Sequence, residues 1–211
     1  MPEKLIILVP AMDTVPTLFC QSLVGMQVPE NAKYAFVCGS LVYDARNKLT
    51  AAAIQSEADY VLWLDSDMTF GPDFYIRMKE SLDESEADMI CAMFWGRKPP
   101  YDLVAYDVLE PDEETGGWFI RKIGTPPDGI MEIAACGCAG VLMKADLLAD
   151  LVRLWNRPFE PVPGLGEDLT FCYRAGLLGK KLVCDGRIRM GHVGQAVYGE
   201  PISNGEDPDE K

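Results

Sequence analysis

Tyr60-Val61-Leu62-Trp63-Leu64-Asp65-Ser66-Asp67-Met68 is the stretch that decides the fold: five apolar residues run straight into an acidic turn. An unbroken apolar run of this length fits a strand buried on both faces, as in a parallel sheet covered by helices. Working outward, residues 5–9 form a similar run ending at Pro10, residues 34–38 one ended by Gly39-Ser40, and residues 89–94 another. The spacing between these runs predicts helices. One has Pro16 in its first turn, with Val15, Leu18, Phe19, Ser22, Leu23 and Met26 on one face. A second, Ala-rich and free of Gly and Pro, covers residues 44–57. A third is opened by Gly71-Pro72-Asp73 and carries Phe74, Met78 and Leu82 on one side before an acidic stretch at 83–88. Strand-helix alternation of this kind predicts an α/β fold with a mostly parallel central sheet flanked by helices.

Beyond the fourth strand the texture changes. Residues 97–129 are rich in Pro, Gly, Asp and Glu and read as a surface insertion with a short strand or hairpin over 118–123. Regular structure resumes with the small-residue segment 133–143 and a helix carrying Leu148, Leu151, Val152 and Trp155. A Pro- and Gly-rich loop over 158–166 then precedes a helical segment at 169–178 and a strand at 181–184 that leads to Gly191-His192. Residues 1–195 read as a single domain, and the acidic, polar residues 196–211 as a flexible tail.

The 211 residues include 33 acidic and 19 basic side chains, a net charge of −14. That balance argues against nucleic acid as a partner, since a phosphate backbone is held mainly by Lys and Arg. With 48% hydrophobic and 25% charged residues, the composition is that of a globular chain able to build a core. No apolar run is long enough for an integral membrane segment, and Met1-Pro2-Glu3-Lys4 does not open a signal peptide, so a cytoplasmic location is expected. Seven cysteines, an odd number, lie mostly in apolar segments and read as reduced, structural thiols. The close pair Cys136-Gly137-Cys138 is a poor zinc set without a second pair.

Candidate chemistry gathers at strand ends. Ligands of open parallel sheets bind beyond the carboxyl ends of strands, where Asp65 and Asp67 stand. Residues two apart in an extended chain point the same way, so both carboxylates could address one hard cation such as Mg2+ or Mn2+. The alternative is a solvated acidic turn. His192, the one histidine, is flanked by glycines at 191 and 194 that let an imidazole approach a ligand closely. As a nitrogen donor it would favour Mn2+, whereas an isolated histidine in a core or on a surface is the plainer reading. Glu167-Asp168 at a helix start fits either favourable acids in the first turn or a general base. Arg97-Lys98 fits a cationic contact to phosphate or a solvated loop, and Trp95, Tyr101 and Trp118 fit sugar stacking or packing.

In order, a strand ending in Val9-Pro10, a helix opened by Ala45-Arg46-Asn47, Leu62-Trp63-Leu64-Asp65-Ser66-Asp67-Met68, Gly166-Glu167-Asp168 and Gly191-His192 resemble the GT-A fold glycosyltransferases. Family 2-like enzymes and Anp1-type mannosyltransferases are the most similar, over roughly residues 4–194. The resemblance implies a Rossmann-like nucleotide-diphospho-sugar transferase fold and a hexosyltransferase activity. The donor would be a nucleotide-diphosphate sugar, the acceptor a hydroxyl on a glycan, lipid or protein, and the cofactor Mn2+ or Mg2+. It implies Asp67 and His192 as metal ligands, with Asp65 at the metal, ribose or sugar and Ser66 beside it. It further implies Asp168 as catalytic base with Glu167 beside it, and Pro10, Ala11, Asp13 and Arg46 around the nucleoside.

The loop Ala11-Met12-Asp13 departs from the Tyr- or Asn-rich stretch common in that class, and no basic amphipathic helix is present to dock on a membrane, which favours soluble acceptors or a partner domain supplied elsewhere. Two rivals keep the same architecture. A nucleotidyltransferase would attack the α-phosphate, but Pro10-Ala11-Met12-Asp13-Thr14 is not the Gly-rich phosphate loop such enzymes use. A nucleotide-sugar or carbohydrate-binding module would keep the scaffold without turnover.

Overall fold

A computed structural model describes residues 3–194 and the strand Val197–Tyr198. In chain order the elements are β1 (Leu5–Ala11), α1 (Thr17–Gly25), β2 (Lys33–Cys38), α2 (Val42–Ser56), β3 (Tyr60–Leu64) and β4 (Met68–Thr69). Then come α3 (Phe74–Ser85), β5 (Met89–Met93), β6 (Ala105–Asp112), β7 (Gly117–Lys122), β8 (Ile130–Glu132) and β9 (Ala135–Cys136). The chain continues through β10 (Gly140–Lys144), α4 (Ala145–Trp155), α5 (Glu167–Leu177), β11 (Leu182–Arg189), β12 (Gly191–Val193) and β13 (Val197–Tyr198). The expected tail over 196–211 falls, apart from the last strand, outside the described residues.

Seven strands make the central sheet in the order β2-β1-β3-β10-β5-β11-β8. Strands β2, β1, β3, β5 and β11 run one way, whereas β10 and the edge strand β8 run against them. The sheet is therefore mixed and mostly parallel, as the apolar runs imply. Each inner strand divides its side chains by alternation. Ile6, Leu8, Val61, Trp63, Val141 and Met143 face a core with Leu49, Leu148 and Phe171 of α2, α4 and α5. Leu5, Ile7, Val9, Leu62, Leu64 and Leu142 face the opposite core with Phe19, Met78 and Leu82 of α1 and α3. Both faces are thus covered, and each fully buried side chain of this size contributes about 1.5–3 kcal/mol.

The small-residue segment becomes two strands and a tight crossing. A Cβ on Gly137 would press into the Phe94 ring, and one on Gly140 would collide with Met190. Glycine there lets β10 slip between β3 and β5.

Three expectations from the sequence differ from the structure. In α1 only Phe19 of the predicted apolar face is buried in the helix, while Val15 and Leu18 stay exposed. Residues 97–129 are not a plain surface insertion: β6 and β7 form a hairpin that pairs with β9, and Leu103, Ala105, Leu109 and Ile123 join the core. The hairpin hides from a reading of composition because its exposed side is so polar. The predicted strand at 181–184 extends to Arg189, and short β4, β12 and β13 form a separate three-stranded sheet. All seven cysteines are free thiols, five of them buried. Among the described residues no helix is long and apolar enough to cross a membrane.

Candidate active site

The carboxyl ends of β1 and β3 border a cavity of about 250 Å3 whose lining includes Pro10, Ala11, Ser40, Asp65, Ser66, Asp67 and Arg97. Two larger depressions, of about 590 and 640 Å3, lie against α3 and between α5 and β11. Of these three, the strand-end cavity is the one lined by the acidic turn.

Asp65 and Asp67 do not point at one centre. The chain turns at Ser66 rather than staying extended, with the Met68 N–H donating to the Asp65 carbonyl at 3.3 Å. Asp65 consequently faces inward, where Arg46 Nη2 donates to its Oδ1 at 2.9 Å. Asp67 faces the β12 side: its carbonyl accepts from the Val193 N–H at 2.7 Å, and its Oδ2 lies 3.3 Å from His192 Nε2. Arg97 Nη1 stands 2.9 Å from that same Oδ2. Asp65 and Asp67, expected to address one cation, thus take different partners while both line the cavity. Among the described residues no three His, Cys, Asp or Glu side chains converge as a metal cluster.

Two donors do converge. Pairing of β12 with β4, His192 opposite Met68, brings His192 alongside the acidic turn from far along the chain. Its Nδ1–H donates to the Trp95 carbonyl at 3.0 Å, which leaves Nε2 to face Asp67. In the neutral ring Nε2 carries a lone pair, so Nε2 and the carboxylate oxygen need a cation or a proton between them. An octahedral Mg2+ with ligands at about 2.0–2.1 Å sets neighbouring donors about 3 Å apart, and Mg2+ sites are often completed by phosphate and water. At 3.3 Å the pair has the spacing of an ion pair with a protonated imidazole, and the same two atoms are donors of the kinds a divalent ion takes. Burial alone would lower the His192 pKa, yet the Asp67 contact and the Trp95 carbonyl raise it above the usual histidine value. Burial likewise pushes the Asp67 carboxyl up, but His192 and Arg97 together hold it below the usual carboxylate range.

Arg46 occupies the first turns of α2, 1% exposed, beneath this turn. Its Nε approaches Asp168 Oδ1 at 3.3 Å, a charge contact without hydrogen-bond geometry, so it bridges Asp65 and Asp168. Its guanidinium also lies 5.7 Å from the Trp63 ring centre and 5.8 Å from that of Phe159. Burial would lower its pKa, but the two carboxylates more than reverse that and keep it charged. Burial dominates at Asp65, whose carboxyl is raised despite Arg46. Glu167 and Asp168 open α5, where the helix dipole favours acids, though neither caps the helix through its side chain. Burial, then the neighbouring Asp168 charge, raises the Glu167 carboxyl.

Asp13 is exposed beside Gly39 and does not line the cavity. Trp95 is buried, and Trp118 donates its indole N–H to the Pro163 carbonyl and packs on Tyr173, which is the packing alternative for both. Three participants were not singled out from the sequence: the Trp95 carbonyl, Ser40 in the cavity wall, and Arg97 as the partner of Asp67. The signal for Trp95 and Arg97 was their position directly after β5, at the same strand-end level as Asp65.

No protein-family model matches this chain, and no curated protein matches it by sequence. Solved structures do match. A197 from STIV aligns with a TM-score of 0.66 at 16% identity, covering 92% of this chain and 86% of its own. The crystal structure of GalNAc-T7 with UDP, GalNAc and Mn2+ aligns with a TM-score of 0.62 at 10% identity, over 91% of this chain. This chain spans 44% of the length of GalNAc-T7. At these identities the likeness establishes the fold alone: an α/β fold of the GT-A type.

Proposed function

We propose that this chain is a metal-dependent glycosyltransferase that moves a sugar from a nucleotide-diphosphate donor to a hydroxyl acceptor. The observation that carries the reading is the meeting of Asp67 and His192, from distant parts of the chain, at the mouth of a strand-end cavity in a GT-A fold. The same arrangement suits Mn2+ or Mg2+, with the imidazole favouring Mn2+.

In this reading Asp67 and His192 hold the ion, which offsets negative charge growing on the departing nucleoside diphosphate. Pro10, Ala11 and Ser66 wall the cavity that takes the nucleoside. At about 250 Å3 it falls below the usual ligand pocket of about 300–1,000 Å3, so it takes part of the donor while the diphosphate lies over Asp67 and Arg97. Arg46 fixes Asp65 through its 2.9 Å hydrogen bond and stands 3.3 Å from Asp168, tying the strand end to the start of α5. Asp168 is the group proposed to receive the acceptor's proton, with Glu167, whose carboxyl is raised by burial and by the neighbouring Asp168 charge, beside it. An exposed Asp13 is left without a proposed role.

A second reading, a binding module without turnover, draws on the Arg46–Asp168 contact, which engages Asp168 with a buried guanidinium rather than leaving it to an acceptor. One experiment separates these. UDP-, GDP-, CDP- and TDP-sugars are screened by thermal shift and calorimetry with and without Mn2+, on wild type and Asp67→Ala, followed by donor hydrolysis assays. Metal-dependent stabilisation by one donor class, lost in Asp67→Ala, is expected, together with slow hydrolysis. Binding without hydrolysis favours the module, and the absence of any metal-dependent donor binding overturns the metal site.

A further inference from the structure

Three groups claim one oxygen. Asp67 Oδ2 faces His192 Nε2 at 3.3 Å and Arg97 Nη1 at 2.9 Å, and it is also the oxygen a cation would share with His192. A divalent ion there would stand within a few ångströms of the guanidinium, and two cations at such a distance repel. The two cannot both be held at full strength.

Arg97 is built to yield. Its side chain is 49% exposed, against 28% for Asp67 and 13% for His192. Its backbone, by contrast, is anchored nearby: the Trp95 carbonyl accepts from His192, and the Gly96 N–H donates to the Asp102 carbonyl at 2.9 Å. The guanidinium can swing while its root stays at the cavity.

Among the described residues Arg97 is also the sole basic side chain in the cavity wall, where Asp65 and Asp67 supply negative charge. Arg46 lies behind, committed to Asp65 and Asp168. A diphosphate entering between two carboxylates needs cationic partners, and a forked guanidinium suits phosphate oxygens.

We propose that Arg97 is a positioning residue that holds Asp67 when no metal is bound, competes with the divalent ion for that carboxylate, and transfers to the donor's diphosphate when the ion is seated. Metal and diphosphate then bind cooperatively, and metal alone binds weakly. The inference rests on the metal-site reading of Asp67 and His192 given above.

The test measures Mn2+ affinity by loss of the free-ion paramagnetic resonance signal and by calorimetry. Mn2+ is titrated alone and with UDP or GDP, against protein-free controls, into wild type, Arg97→Gln, Arg97→Lys and Asp67→Ala. Melting curves establish that each variant is folded. Arg97→Gln is expected to bind Mn2+ alone about threefold tighter than wild type, the size that a half-exposed ion pair supports. The gain in Mn2+ affinity conferred by the nucleoside diphosphate should shrink by at least the same factor, and Arg97→Lys should retain part of it. If Asp67→Ala abolishes Mn2+ binding while Arg97→Gln matches or falls below wild type, the competition is refuted and the metal site stands. Tight binding of Mn2+ alone by wild type, with no gain from nucleotide, refutes it equally. If Mn2+ binds neither wild type nor Arg97→Gln under any condition, the metal-site reading itself is what fails.

Discussion

Replacing Arg46 with Met tests whether the buried guanidinium holds the site together through charge. Met keeps much of the aliphatic stem and deletes only the cation. Arg46 is 1% exposed and bonds Asp65 at 2.9 Å while approaching Asp168 at 3.3 Å, so the substitution strands two carboxylates. Removing one partner of a buried ion pair costs about 3–5 kcal/mol. Asp65 and Asp168 keep 29% and 23% exposure, so water relieves part of that cost and the lower end, about 3 kcal/mol, is expected. For a domain of this size each kcal/mol moves Tm by about 2–4 °C, giving a fall of about 6–12 °C by differential scanning calorimetry. The deficit should shrink as pH falls from neutral. Burial already raises the Asp65 carboxyl, and loss of Arg46 raises it further, so the folded state takes up a proton before the unfolded state does and gains stability with acid. Adding Asp65→Asn and Asp168→Asn to Arg46→Met should recover most of the loss. A single-variant fall below about 2 °C, small for a buried pair, or a triple variant no more stable than the single, would refute the electrostatic account.

Two further predictions concern stability. At Asp185, 1% exposed, burial pushes the carboxyl up, but Arg187 and the Ser81 hydroxyl, which donates at 2.7 Å, bring it below the usual range. Its stabilisation is therefore present above the unfolded value of about 3.9 and vanishes as pH falls through the lower folded value, so Asp185→Asn should flatten the acid limb of a urea-stability profile. At Gly186 an added Cβ would run into the Pro127 backbone carbonyl, which cannot give way as a flexible side chain can. Gly186→Ala should cost about 1–3 kcal/mol in urea unfolding, and an unchanged midpoint would show that the 127–130 segment moves freely.

Continuous apolar runs made the sheet legible. Residues 60–64 coincide with β3, and the runs at 5–9, 34–38 and 89–94 each locate a strand to within two residues at either end. β1, β3 and β5 are buried on both faces, where little except hydrophobicity decides the sequence, whereas the edge strand β2 is largely exposed. The antiparallel placement of β10 was hidden, because it depends on contacts of Gly137 and Gly140 with Phe94 and Met190, far away in the chain. The hairpin of β6 and β7 was hidden by its exposed polar face. At the site, residue types and strand-end positions were readable for Asp65, Asp67, Glu167, Asp168 and His192. Which side chain meets which was not: extended geometry aims both aspartates the same way, whereas after the turn at Ser66 one meets Arg46 and the other His192 and Arg97. Arg97 read equally well as a solvated loop residue because its partner lies on another element.

The separation at Ser66 gives two chemically similar carboxylates different work. Asp65 has a counter-charge that cannot leave, since Arg46 is fully buried, stacked near Trp63 and Phe159, and tied as well to Asp168. Asp67 has one that can, since the guanidinium of Arg97 is half in solvent. A ligand can gain little by competing for Asp65, because freeing it would strand Arg46 in the core beside the rings. On the proposed reading Asp67 would exchange one cation for another at small cost, because Arg97 regains water when it departs. The inner aspartate thus joins α2, the end of β3 and the start of α5 into one rigid unit. The outer one, with His192, presents the negative charge on that unit that remains open to exchange.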